Sequence, residues 1–249
     1  MRLTVKSLEE LDSSGTLVDG KSVSDFNTNS NSWAALSTTQ VDGVNISSTS
    51  FLADLVVGEA KVAFNLTASI ADGNVTLSYG SQTLTVPAGA LKFTVDITGW
   101  TFADATNTLA LSVALDAKGP KGKALGKPTK KAKDKSSKSS IDRIDMGDSM
   151  FMDAPTIVII DEKEVNVINS TVVASGSSVA FQWVFPSFTT SLHYDPVLGE
   201  DSTTSSSADS AGSASTASST TTTTTSTASV MSFSGIAAGA LAAIAFSLF

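Results

Sequence analysis

Four stretches of this chain alternate apolar and polar residues at period two, and this alternation limits the fold more than any other feature. Val62, Phe64, Leu66, Ala68 and Ile70 mark the first stretch, and Leu91, Phe93, Val95 and Ile97 the second. Leu109, Leu111, Val113 and Leu115 mark the third, and Val179, Phe181, Trp183 and Phe185 the fourth. Successive side chains of a strand point to opposite faces, so each run has one face for a core and one for water. A helical period of 3.6 is hard to find before Val230. The clearest local signal is a hairpin: residues 75–79 and 82–86 alternate around a two-residue loop, Gly80-Ser81. Glycine at the first loop position favours a type II′ turn, whose twist matches that of the strands.

Some ten to twelve short strands at intervals of roughly 8–15 residues predict an all-β fold, an antiparallel β-sandwich or jelly roll over residues 1–200. Trp100 and Trp183 are expected in its core, because each has alternating apolar neighbours. Trp33, in an Asn-rich stretch, is expected to be more exposed.

Three segments break the pattern. Residues 118–140 hold nine lysines with Gly, Pro and Ser and no apolar period. Such a segment buries too little to offset its ordering entropy and is expected to be a disordered loop. It carries +8 in a chain of net charge −8, so the rest carries −16: an acidic body with a basic tongue. Residues 201–229 are almost wholly Ser, Thr, Ala, Gly and Asp and read as a stalk. Residues 230–249 contain no charge, and twenty helical residues are long enough for a bilayer core.

Small residues, then a polar spacer, then an apolar tail is the layout of a glycosylphosphatidylinositol signal, in which the tail is cleaved and a lipid attached. Ser210, Gly212 and Ser218 are alternative attachment residues, and an uncleaved span is the competing reading. Four Asn-x-Ser/Thr sequons, at Asn45, Asn65, Asn74 and Asn169, are candidate N-glycosylation sites. The N-terminus has no apolar stretch of signal-peptide type, so a cell-surface protein is expected to have its secretory signal upstream of the sequence given; the alternative is a tail that inserts after translation and leaves the domain in the cytosol.

The chemistry open to the chain is narrow. It has no Cys, which removes disulfides, a thiolate nucleophile and thiolate metal sites. Its one histidine, His193, excludes metal catalysis by paired histidines, has no Gly-x-Ser-x-Gly elbow beside it, and is expected at a strand end or on the surface. Asp142, Asp145, Asp148 and Asp153 cluster in sequence. Calcium prefers several such oxygens, although the spacing is not that of an EF-hand loop. Acidic balance argues against nucleic acid as a partner, and no aromatic or Arg interleaves the lysines of the tongue. The residues therefore predict a non-catalytic surface or matrix protein with no required cofactor, held at a membrane through its C-terminus and binding an external glycan, matrix or mineral. The competing class is a secreted jelly-roll carbohydrate-active enzyme, which would need two carboxylates across a cleft.

Two segments are similar to a known family: Ala88-Gly-Ala-Leu-Lys-Phe-Thr-Val-Asp-Ile-Thr-Gly-Trp100-Thr-Phe, and residues 179–196, with Phe181, Trp183, Phe185, Phe188, His193, Tyr194 and Asp195. They resemble the repeated domain of the acidic skeletal organic matrix proteins, the coral acid-rich family, over about residues 1–200. The resemblance implies secretion and an association with calcium and mineral matrix. This chain departs from that pattern in lacking long Asp/Glu tracts and in carrying the lysine tongue. No metal or catalytic residue carries over.

Overall fold

The computed structural model describes residues 2–26, 33–116, 128–130, 141–147, 149–175, 178–201, 231–232 and 245–246. In chain order the strands are β1 (Arg2–Leu11), β2 (Leu17–Val23), β3 (Ser37–Val41), β4 (Val44–Val57), β5 (Ala60–Ala71), β6 (Val75–Tyr79), β7 (Gln82–Val86) and β8 (Leu91–Thr98). Then come β9 (Thr108–Asp116), β10 (Thr129–Lys130), β11 (Ile141–Gly147), β12 (Met150–Pro155), β13 (Ile157–Ile160) and β14 (Lys163–Asn166). The last are β15 (Asn169–Ser175), β16 (Ser178–Pro186), β17 (Ser191–Tyr194), β18 (Val197–Glu200), β19 (Met231–Ser232) and β20 (Ala245–Phe246). The described residues contain no helix.

The fold is all-β and its sheets are built mainly from antiparallel pairs. The first sheet runs β15-β16-β9-β1, with β2 and the short β20 on the far side of β1 and β19 beyond β20. The second is centred on β8. On one side of β8 lie β5, β4 and β3; on the other lie β17 and β18, then β12 and β13, then β11 and β14, with β10 outside β11. The hairpin of β6 and β7 forms a small sheet of its own.

The strand count exceeds the sequence expectation because long strands are interrupted. β17 and β18 keep one register against β8, and Asp195-Pro196 divides them; proline has no N–H to give to a ladder. The Pro196 carbonyl still accepts from Phe93 N–H at 3.0 Å. β12 pairs with β18 and β13 with β17, and the register slips by two residues between them, after Pro155. Within the lysine tongue, Thr129 and Lys130 pair with β11, whereas residues 117–127 and 131–140 lie outside the described residues.

The period-two runs meet in one core. Val62, Phe64, Leu66 and Ala68 of β5, the four apolar residues of β8, those of β9 and those of β16 all belong to one buried cluster that draws on both large sheets. Aromatic rings join the sheets across it: Trp183 of β16 lies 6.3 Å from Phe93 and 5.5 Å from Tyr194, centroid to centroid. Trp183 and Trp100 are buried, and Trp33 is only partly buried against Phe51. Trp100 follows β8 in a loop instead of sitting in a strand. It is buried because its Nε1 donates to the carboxylate of Glu10, 3.2 Å away.

A second, smaller cluster lies on the opposite face of the β8 sheet. There Val75, Tyr79, Leu84 and Val86 of the hairpin pack on Ile46, Ala71, Ile157 and Val197. The turn that joins β6 to β7 has Gly80 at φ 60° and Ser81 outside the positive region, as a type II′ turn requires. The hairpin is therefore folded down as a flap, and that decides the environment of everything beneath it.

Candidate functional site

Residues of opposite parity to the core set of β8 are Lys92, Thr94 and Asp96, and the alternation alone assigns them to water. The structure places them under or beside the β6–β7 flap instead. The register sets Asp96 between Asn65 of β5 and His193 of β17. By the same register Thr94 lies between Thr67 and Asp195. The result is a polar stripe of alternating charge across three strands.

Its contacts are internal. Lys92 Nζ lies 2.8 Å from Asp195 Oδ2 and donates to Thr94 Oγ1 at 2.6 Å. His193 Nδ1 is 2.6 Å from Asp96 Oδ1, and Nε2 is 3.5 Å from Asp195 Oδ2. Asn65 Nδ2 donates to Asp96 Oδ2 at 3.4 Å. The Tyr79 hydroxyl reaches down from the flap to the carbonyl oxygens of Ile157 and His193, each at 3.2 Å, and its ring lies 5.8 Å from that of His193. At the flap tip, the backbone N–H and hydroxyl of Ser81 both donate to the Glu164 carboxylate.

These partners set the charges. The Asp195 carboxylate, then that of Asp96, hold the His193 proton and raise its pKa from 6.5 to about 9, against the opposing effect of desolvation. Desolvation pushes Asp195 up, but the hydrogen bond from His193 and the Lys92 charge outweigh it and bring Asp195 down to about 2. Burial pushes the Tyr79 phenol well above its usual range. At neutral pH the stripe thus holds two cations and two anions in compensating pairs. Sequence reasoning placed His193 at a strand end or on the surface; it is the penultimate residue of β17, partly covered and between two carboxylates.

This chemistry is that of a clasp. Asp12, Asp104, Asp161 and Asp195 all have their carboxyl pKa lowered by hydrogen bonds or neighbouring charge. At Asp161, desolvation is outweighed by the N–H groups of Thr189, Ser191 and Thr190 and the Thr189 hydroxyl, which fix the loop before β17.

A model of the acidic skeletal organic matrix proteins matches residues 1–233. The chain belongs to that family. The match covers both large sheets except β20, the flap and the polar stripe, and it extends beyond the likeness over residues 1–200. No curated protein matches the chain.

In this skeletal organic matrix protein Asp145 and Asp153 of the predicted acidic cluster bind different partners. Arg143 of β11 lies opposite Asp153 of β12, with Nε and Nη2 on its two oxygens at 2.7 and 2.6 Å. The same guanidinium reaches Asp201 at 3.0 Å and stacks 3.9 Å above the Phe151 ring. Asp145 accepts from Gly147 N–H at 2.8 Å. Asp142 has the strand parity of the buried Ile144 and Met146, opposite to that of Arg143 and Asp145. Asp148 lies outside the described residues. Among the described residues no three His, Asp or Glu side chains converge as a cation would require.

Of the sequons, Asn45, Asn74 and Asn169 are exposed and Asn65 is half-buried. Asn45 Nδ2 donates to Asp72 at 2.7 Å, and Asn74 Oδ1 accepts from Ala88 N–H at 2.9 Å. Ser210, Gly212 and Ser218 lie outside the described residues, as do the stalk beyond Asp201 and most of the tail. No described helix is long and apolar enough to cross a membrane.

Sequence reasoning missed Glu10. This carboxylate is fully buried and accepts from Trp100 Nε1, Ala103 N–H and Asn107 Nδ2, the last two at 2.7 and 2.6 Å. It ties the loop after β8 to β1. The only signal was parity: Glu10 lies two residues after the buried Leu8, on the same face of β1.

Proposed function

We propose that this protein is a non-catalytic component of an extracellular, mineral-associated matrix, and that its two large sheets form a sandwich serving as a rigid binding or structural body. The observation that carries the reading is the family match over residues 1–233. The acidic body, −16 outside the lysine tongue, offers carboxylates to calcium at a mineral face, with Asp142, Asp145 and Asp148 among them. Glycans on the exposed sequons and a lipid attached near Ser210, Gly212 or Ser218 complete the proposed surface form.

Two measurements test this. An antiserum against the β body should find the protein in the organic fraction released when skeletal mineral is dissolved, and purified full-length chain should adsorb to calcium carbonate powder in a salt-sensitive way. A protein confined to the cell interior and indifferent to mineral would overturn the reading. For the anchor, an inositol-specific phospholipase should release the protein from intact cells. Retention with the residue 230–249 peptide still present would mean that the tail is a span.

A further inference from the structure

The uncharged tail of residues 230–249 meets the body at a defined place. β20 pairs in parallel with β1, Arg2 opposite Ala245 and Leu3 opposite Phe246, and β19 pairs antiparallel with β20. On the same side of β1, β2 pairs only from Leu8 to Leu11. β20 therefore sits on the part of that edge which β2 does not reach. Backbone donors and acceptors along such an edge recruit an added strand, and here the added strand comes from the chain's own tail.

Burial on the face of this sheet that turns away from the core is a second observation. The register sets Thr4, Ala114, Ala180 and Val173 in one row across β1, β9, β16 and β15. Each has parity opposite to a core neighbour, so each turns outward. Val173 is 60% exposed and Ala180 is exposed, yet Ala114 is only 6% and Thr4 only 2% exposed. The next row, Ser7, Ser112, Gln182 and Thr171, grades the same way, from Ser7 at 9% to an exposed Thr171. Burial thus rises toward the edge that carries β20, whereas a bare face would be wettest at its edge. Ala114 belongs to neither core cluster, so neither core supplies its cover. Thr4 Oγ1 is buried without a hydrogen-bond partner among the described residues, where on a bare face water would satisfy it.

We propose that the tail of the uncleaved chain folds back onto its own body, with β20 completing the edge of β1 and the residues between β19 and β20 covering Thr4 and Ala114. The occupant is chosen by chemistry and continuity. The covered row is uncharged and begins at the strand that β20 joins, and the tail offers Ile236, Leu241 and Ile244 without a charge, whereas the other long segment outside the described residues is the lysine tongue. Docking shields the tail's apolar surface from water until a membrane or a processing enzyme takes it. The inference does not rest on the lipid-anchor reading. Cleavage near Ser210, Gly212 or Ser218 would vacate the β1 edge in the mature form, and the docked tail is measured before that step.

The chain has no cysteine, so introduced thiols supply the test. In dilute full-length, uncleaved protein, Arg2→Cys with Ala245→Cys should close an intramolecular disulfide at least about ten-fold faster than Val173→Cys with Ala245→Cys, because a bridge needs Cα atoms within about 7 Å. Thr4→Cys alone should resist a maleimide. Adding Phe246→Asp, which puts a charge where β20 meets Leu3, should speed that labelling about ten-fold or more by releasing the tail. Circular dichroism and tryptophan fluorescence confirm that each variant folds. Equal disulfide rates for the two pairs, or protection of Thr4→Cys that Phe246→Asp leaves unchanged, overturns the proposal. Protection that disappears instead when the tongue lysines are changed to glutamine assigns the cover to the tongue and overturns it as well.

Discussion

Replacing His193 by Gln tests whether the covered stripe clasps the β6–β7 flap to the sheet. In the native chain the imidazole is held by Asp195 and Asp96, which raise its pKa from 6.5 to about 9. For a fully buried group that rise corresponds to roughly 3 kcal/mol between the protonation states. The side chain is 35% exposed. Solvent screening at such a position leaves about 1–2 kcal/mol. The sign follows from linkage. A folded-state pKa above the unfolded one contributes fully below 6.5, and the contribution is lost as pH rises through about 9. Asp195 acts in the opposite sense: its contribution is present above 3.8 and lost as pH falls through about 2. The stripe therefore supports the fold most fully between about pH 4 and 6.5. Urea unfolding followed by tryptophan fluorescence, at about pH 6, 7.5 and 9.5, measures this directly. Wild type should exceed His193→Gln by about 1–2 kcal/mol at the lowest of these, and the gap should close by the highest. Two curves that run parallel across the range would refute the clasp.

Three further outcomes follow from the packing. Glu10→Ala strands three donors around a fully buried site and should cost about 3–5 kcal/mol, while Glu10→Gln, which keeps one acceptor oxygen, should cost less than half as much by the same urea assay. Trp183 is buried and its Nε1 has no hydrogen-bond partner among the described residues, so Trp183→Phe should be far milder than Trp183→Ala, expected to cost about 3–5 kcal/mol; a larger loss for Phe than for Ala would show the ring misplaced. Gly80→Ala puts a side chain at φ 60° and against Glu164, and should lower stability by about 1–2 kcal/mol with a thermal transition that shifts down accordingly.

Much of the frame was legible in the chain because its causes are local. Alternation at 62–68, 91–97, 109–115 and 179–185 located β5, β8, β9 and β16 and their buried faces. Gly80-Ser81 announced its turn because only a positive φ at the first loop position matches the strand twist. The breaks at Pro155 and Pro196 were harder to read, since the chain re-enters the same sheet within one or two residues of each proline. Arg143 and Asp153 were ten residues apart and became partners only through the register of β11 on β12.

The stripe marks the boundary between the two kinds of information. By itself the sequence determined that Lys92, Thr94 and Asp96 share one face of a strand, and that His193 and Asp195 share one face of another, because side-chain direction in a strand depends only on parity. That the two faces are the same face, with His193 beside Asp96 and Asp195 beside Thr94, was decided by strand pairing over a separation of about a hundred residues. That this face is covered was decided by the β6–β7 flap packing through Tyr79, Leu84 and Val86. Parity says which residues lie opposite the core; only the third dimension says whether water or another layer of protein meets them there.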